Sequence, residues 1–121
     1  MWLATYLDPA GAVWNQGFQQ WHSDGTELSV DNAVPPSLGN VCIGVYKQTG
    51  PRSYTLRHVT WNWTSDGHLA GTFLLITTLT LDADGNVFSG TYVTDSFDLA
   101  GDPIPALHAE GPIRGTRITV D

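Results

Sequence analysis

One cysteine among 121 residues removes whole classes of structure at once. Cys42 has no partner for an intramolecular disulfide and cannot build a Cys-based zinc site. Inside the strand-like run 41–48 it reads as a small buried hydrophobe. Basic residues are scarce as well: five Lys and Arg stand against twelve Asp and Glu, for a net charge of −7. Such a surface repels phosphate backbones and anionic lipid, so neither nucleic acid nor a membrane is an expected partner. No apolar run reaches the roughly 18 residues that a membrane-spanning helix needs. The N-terminus lacks the basic start and sustained apolar stretch of a signal peptide and begins directly on a strand-like run. That is consistent with a secreted or periplasmic form whose leader has been removed. Charged residues make up only 14% of the chain, leaving Thr, Ser, Asn and Gln to cover the surface. Helical periodicity is almost absent.

What is present is regular punctuation. Asp24-Gly25, Asp66-Gly67 and Asp84-Gly85 are hairpin turn signals, because glycine supplies the positive φ that tight turns require. Looser turn signals stand at 9–11, 49–51 and 99–102. Between them, alternating and Thr-rich runs read as strands near 2–7, 13–22, 26–31, 41–48, 53–63, 68–82, 86–97, 104–110 and 114–120. Successive hairpins make an antiparallel meander, which removes its exposed edges by closing. The expectation is one domain over 1–121: an all-β, up-and-down barrel of eight to ten strands. The longest connection, 32–40, carries Pro35, Pro36 and Gly39 and reads as a loop covering one barrel end. Glycines within strands, at 71, 90 and 115, mark expected bends or bulges.

Strand parity assigns the interior. With Arg57 in water, Tyr54, Leu56, His58, Thr60 and Asn62 face inward. With Lys47 outward, Cys42, Gly44 and Tyr46 face inward, and in 68–82 the inward set includes Phe73, Leu75 and Leu79. Phe18 and Tyr92 join the expected interior. A lining of Phe18, Tyr46, Tyr54, His58, Asn62, Phe73 and Tyr92 is more polar than a packed core tolerates. An apolar cavity with a few convergent polar groups is what ligand sites look like. The expected partner is therefore an apolar or aromatic small molecule.

Most carboxylates fall at turns, where they cap backbone groups. Asp95 and Glu27 are mid-strand exceptions. Strand 86–97 has two readings. If Asp95 faces inward, it and His58 are candidate catalytic acid–base groups for an isomerase-, cyclase- or lyase-type reaction. If it faces outward, it is a solvated carboxylate. A bulge at Gly90 would switch the two. The four histidines show no metal-ligand spacing, and neither a metal nor a cofactor is expected. Trp61 and Trp63 lie opposite His58 by parity, which offers two readings: a homodimer patch, or packing beneath a loop.

The segments 2–6, 19–27, 44–50 and 111–119, the last with Gly115-Thr116-Arg117, resemble small bacterial lipocalin-like (calycin-type) barrels. The glycine that usually precedes the tryptophan of the first strand is missing before Trp2. A weaker likeness connects the chain to allene-oxide-cyclase-like and dirigent barrels. The first resemblance implies a barrel with a ligand cavity, and the second implies a cyclase or stereocontrol role. Neither fixes an activity.

Overall fold

Five four-residue turns set the frame of the chain. In each, a glycine at the fourth position donates its N–H to the carbonyl three residues back: Gly11 to Asp8, Gly25 to His22, Gly67 to Thr64, Gly85 to Asp82 and Gly101 to Asp98. All five glycines have φ between +70° and +88°, a left-handed conformation costly for other residues. The side chains of Asp8, Asp24, Asp82 and Asp98 each accept backbone N–H bonds within their turns. This accounts for four of the twelve acidic residues without invoking a site.

The strands between these turns, in a computed structural model that describes residues 1–121, are β1 (Trp2–Leu7), β2 (Val13–Trp21), β3 (Thr26–Asp31), β4 (Val41–Gly50), β5 (Ser53–Trp63), β6 (Leu69–Leu81), β7 (Val87–Phe97) and β8 (Ala109–Arg117). Every pairing is antiparallel and sequential, and β8 returns to β1, with Trp2 opposite Arg117 and Tyr6 opposite Ile113. The result is a closed eight-stranded barrel with no free edge. Two expected strands, 104–110 and 114–120, are replaced by a single β8. Residues 103–104 make only an isolated bridge to the end of β7, at Phe97, before Pro105 opens a 3₁₀ turn over 105–107.

The two barrel ends are built differently. At the end holding the β2–β3, β4–β5 and β6–β7 turns, aromatic side chains fill the interior. Trp2, Trp21 and Phe88 lie with ring centroids 5.2 to 5.9 Å apart, and Tyr46 and Tyr54 extend the cluster from Trp21. Arg117 lies over the Trp2 ring at 4.7 Å and seals it. Buried Leu56, Leu79 and Ile113 pack against this plug. At the other end, the 32–40 loop with its Pro36–Leu38 3₁₀ turn and the 98–108 connection stand around an opening.

Phe88 fits because its neighbours are small. It is completely buried beside Gly115, its register partner, where an added Cβ would lie 2.1 Å from the ring. Gly115→Ala is therefore expected to cost about 1–3 kcal/mol in urea denaturation. Adding Phe88→Leu should recover much of the loss. Additive losses in the double variant would show that Phe88 is not what Gly115 accommodates.

Candidate functional site

The inward face of β3 is the unusual one. Glu27, Ser29 and Asp31 point into the barrel, while Leu28 and Val30 take the outer face. Two glycines on neighbouring strands make this possible. Gly17 pairs with Asp31, and a Cβ there would fall 2.1 Å from Asp31 Oδ1. Gly44 sits between Glu27 on one side and His58 on the other, and a Cβ there would fall 3.0 Å from Glu27 Oε2. Each glycine leaves room for one carboxyl group.

Across the gap at Gly44, His58 Nδ1 lies 3.2 Å from Glu27 Oε2. Glu27 is 3% exposed and His58 1%. The approach is close but not aligned as a hydrogen bond: both Glu27 oxygens and His58 Nε2 lack partners, as does Thr77 Oγ1. Burial disfavours charge on both groups. It pushes the Glu27 carboxyl up to about 8, with a smaller push from nearby Asp31, and pulls the His58 imidazole down to about 4. Both shifts favour the uncharged forms, an un-ionised acid facing a neutral imidazole.

Asp31 is better provided for. Ser29 Oγ donates to its carboxyl at 3.1 Å and Asn15 Nδ2 at 3.4 Å. Burial still raises its pKa, and hydrogen bonds from Cys42, Ser29 and Asn15 oppose the rise. Asn15 is held in turn by the N–H of Ala33 at the start of the loop. The Cys42 thiol is pushed far up by burial, then by Asp31, so it is an inert donor to that carboxyl.

Above this polar layer lies a cavity of about 280 Å³ at the open end. Trp14, Trp63, Phe73, Leu38 and Leu107 form its apolar wall, and Asn15, Asp31, Asn62 and Ser96 bring polar atoms to it. Cys42, Thr60, Phe73 and Ser96 lie one inward position nearer this end than Gly44, His58, Leu75 and Thr94 on their strands. The Glu27–His58 pair therefore sits one layer beneath the cavity lining.

The expected site residues separate into four groups. Asn62 and Phe73 line the cavity, and His58 is buried below it. Tyr46 and Tyr54 belong to the plug at the opposite end. Tyr92 lies beneath the rim, accepting a 2.6 Å hydrogen bond from Trp14 Nε1 and donating to the Leu7 carbonyl at 2.8 Å. Phe18 corrects the expectation: it is 53% exposed on the outer face, because β2 turns Asn15, Gly17, Gln19 and Trp21 inward. Asp95 also faces outward. Pairing of β6 with β7 runs through Gly90 without a bulge, so Tyr92, Thr94 and Ser96 keep the interior. Asp95 instead meets His108 on the surface at 2.8 Å and holds that imidazole above its ordinary range; it has no place beside His58. Trp63 departs from parity too. A register shift after Asn62 brings its indole against Gly39 of the loop, leaving Trp61 alone on the outer face. Asn15, Ser29 and Asp31 were not anticipated. The detectable signal was an acidic residue in register with a mid-strand glycine, which occurs at both Glu27 and Asp31.

No protein-family model matches this chain, and no curated protein or solved structure matches it, so its function has to be read from its own residues.

The pH dependence of stability follows from the buried pair. Glu27 binds its proton more tightly folded than unfolded, so its contribution is complete below its ordinary value of 4.5 and is lost as pH rises to about 8. His58 is opposite: its contribution is complete above 6.5 and lost as pH falls toward about 4. Between 4.5 and 6.5 the two slopes oppose each other, and from 6.5 to 8 only the Glu27 contribution changes, so the pair's stabilisation falls across that range. Urea midpoints across this range measure it. Glu27→Gln should flatten the alkaline decline. An undiminished decline in that variant would remove Glu27 as its cause.

Proposed function

We propose that this barrel binds a small apolar or aromatic molecule in the open-end cavity. The observation that carries the reading is the asymmetry of the interior: one end is sealed by stacked aromatics, and the other keeps about 280 Å³ of space with an aromatic wall and a polar floor. That volume is near the lower bound of roughly 300 Å³ for small-molecule pockets, so the ligand is no larger than a substituted bicyclic aromatic. The closed antiparallel meander is compatible with a lipocalin-like barrel, which supports the same reading. Asn62 and Ser96 orient a polar substituent, and Leu38 and Trp63 close over its apolar part. Calorimetric titration with 2-naphthol is expected to give one-to-one binding, weakened about tenfold by Trp63→Ala and unchanged by Tyr54→Phe at the sealed end. The reading fails if neither 2-naphthol nor charged aromatics of that size bind, or if Tyr54→Phe weakens binding as much as Trp63→Ala.

A second reading concerns the outer surface. Ile43 at 60% and Trp61 at 59% exposure share the face of β3–β6 with Val45 and Val59. This face holds Lys47 and Arg57 but no carboxylate, in a chain of net charge −7. Two copies repel each other least through it, and apolar contact there favours a homodimer centred on Trp61. Sedimentation equilibrium should show concentration-dependent dimers that Trp61→Arg abolishes. A monomer at millimolar concentration excludes the dimer.

A further inference from the structure

The charge of the cavity narrows its ligand beyond size and polarity. No Lys, Arg or His lines it, and the one carboxyl among its lining side chains is that of Asp31. All three groups that hydrogen-bond Asp31 (Ser29, Asn15 and the Cys42 thiol) are neutral. Once ionised, that carboxyl is solvated by dipoles and balanced by no cation. On the same inward face of the same strand, Glu27 has both carboxyl oxygens without a partner and is nine-tenths buried. His58, the nearest basic group to Glu27, is disfavoured as a cation by its own burial.

The walls point the same way. Trp14, Trp63 and Phe73 surround the space, and aromatic faces carry the negative lobe of the ring quadrupole. An anionic ligand would meet the Asp31 charge in a site with no positive group, at a desolvation cost nothing there offsets. A neutral apolar ligand would gain wall contacts and leave Asp31 as it is. A cation with apolar substituents gains the walls, the ring faces and the carboxylate together. The chain's net charge of −7 further raises the local concentration of cations around the opening.

We propose that the cavity selects a small organic cation, an amine or quaternary ammonium with apolar or aromatic substituents, with Asp31 as its counter-ion. This rests on the cavity being a binding site. The test is a matched set of three probes titrated calorimetrically: phenyltrimethylammonium, its uncharged carbon analogue tert-butylbenzene, and benzoate. The cation is expected to bind about tenfold or more tighter than tert-butylbenzene, with benzoate weakest. Asp31→Asn should reduce that preference about tenfold while leaving tert-butylbenzene affinity in place. The proposal is overturned, with ligand binding intact, if tert-butylbenzene binds as tightly as the cation or if Asp31→Asn keeps the preference unchanged. If none of the three binds while 2-naphthol does, the cation proposal falls and the cavity reading stands; if 2-naphthol fails to bind as well, both fall. Should Asp31→Asn not fold, the ratio of cation to neutral affinity in the unaltered protein decides.

Discussion

The return of β8 to β1 is the contact on which the rest of this molecule depends. Trp2 to Tyr6 pair with Arg117 back to Ile113, and this one ladder turns an open meander into a barrel. Closure satisfies the backbone groups that two edge strands would otherwise expose. It also fixes the diameter: eight strands leave an interior that side chains can just fill. Away from the register shifts, inside and outside then follow parity, and a residue's position along its strand decides which end of the barrel it occupies.

From that geometry the difference between the ends follows. Near Trp2 and Arg117, large rings meet small partners, and Gly115 gives Phe88 the space it occupies. The stacked rings, with Leu56, Leu79 and Ile113 beneath them, concentrate apolar burial in one half of the barrel. Toward the other end the inward positions include Asn15, Cys42, Thr60 and Ser96, which are too short to reach across, with Phe73 the one large ring in their layer. The connections there are also longer, and Gly39 lets the 32–40 loop lie against Trp63. A void results from short inward side chains under a loop rim, with the β5–β6 register shift after Asn62 at its edge.

The turns and the meander were legible in the sequence because their causes are local. A glycine at positive φ and a carboxylate capping its own turn need no tertiary context. Parity was legible wherever a charge anchored it, as with Lys47 on β4 and Arg57 on β5. It also held on β6, where the more apolar face turns Leu75 and Leu79 inward, and it failed on β2. In β2 nothing ionisable breaks the tie, so aromatic character pointed to Phe18, whereas the structure buries Gln19 and gives it Tyr6 and Trp21 as partners. Asp95 turned on whether Gly90 made a bulge, a property of the pairing of β6 with β7 and not of either strand alone. Trp63 was misplaced by the register shift beside it. The polar face of β3 was the hardest to see, since burying Glu27 and Asp31 contradicts the usual preference for exposing carboxylates. Only the register of Gly17 and Gly44 explains it.

That contradiction also bears on what the interior is for. A barrel needing only stability would carry apolar side chains at 27 and 31, because unpartnered buried polar groups cost about 1–3 kcal/mol each. Here Leu28 and Val30 lie on the outer face of that strand while its two acids lie inside. A one-residue slip of β3 would bury the apolar pair and expose the acids, yet the observed register keeps them inward and the glycines accommodate them. The plug at the sealed end supplies the apolar burial this strand forgoes. Glu27 and Asp31 lie in the half of the barrel that holds the cavity and outside the aromatic plug. A polar set that burdens folding and borders an opening is the feature that the proposed ligand site accounts for and that stability alone does not.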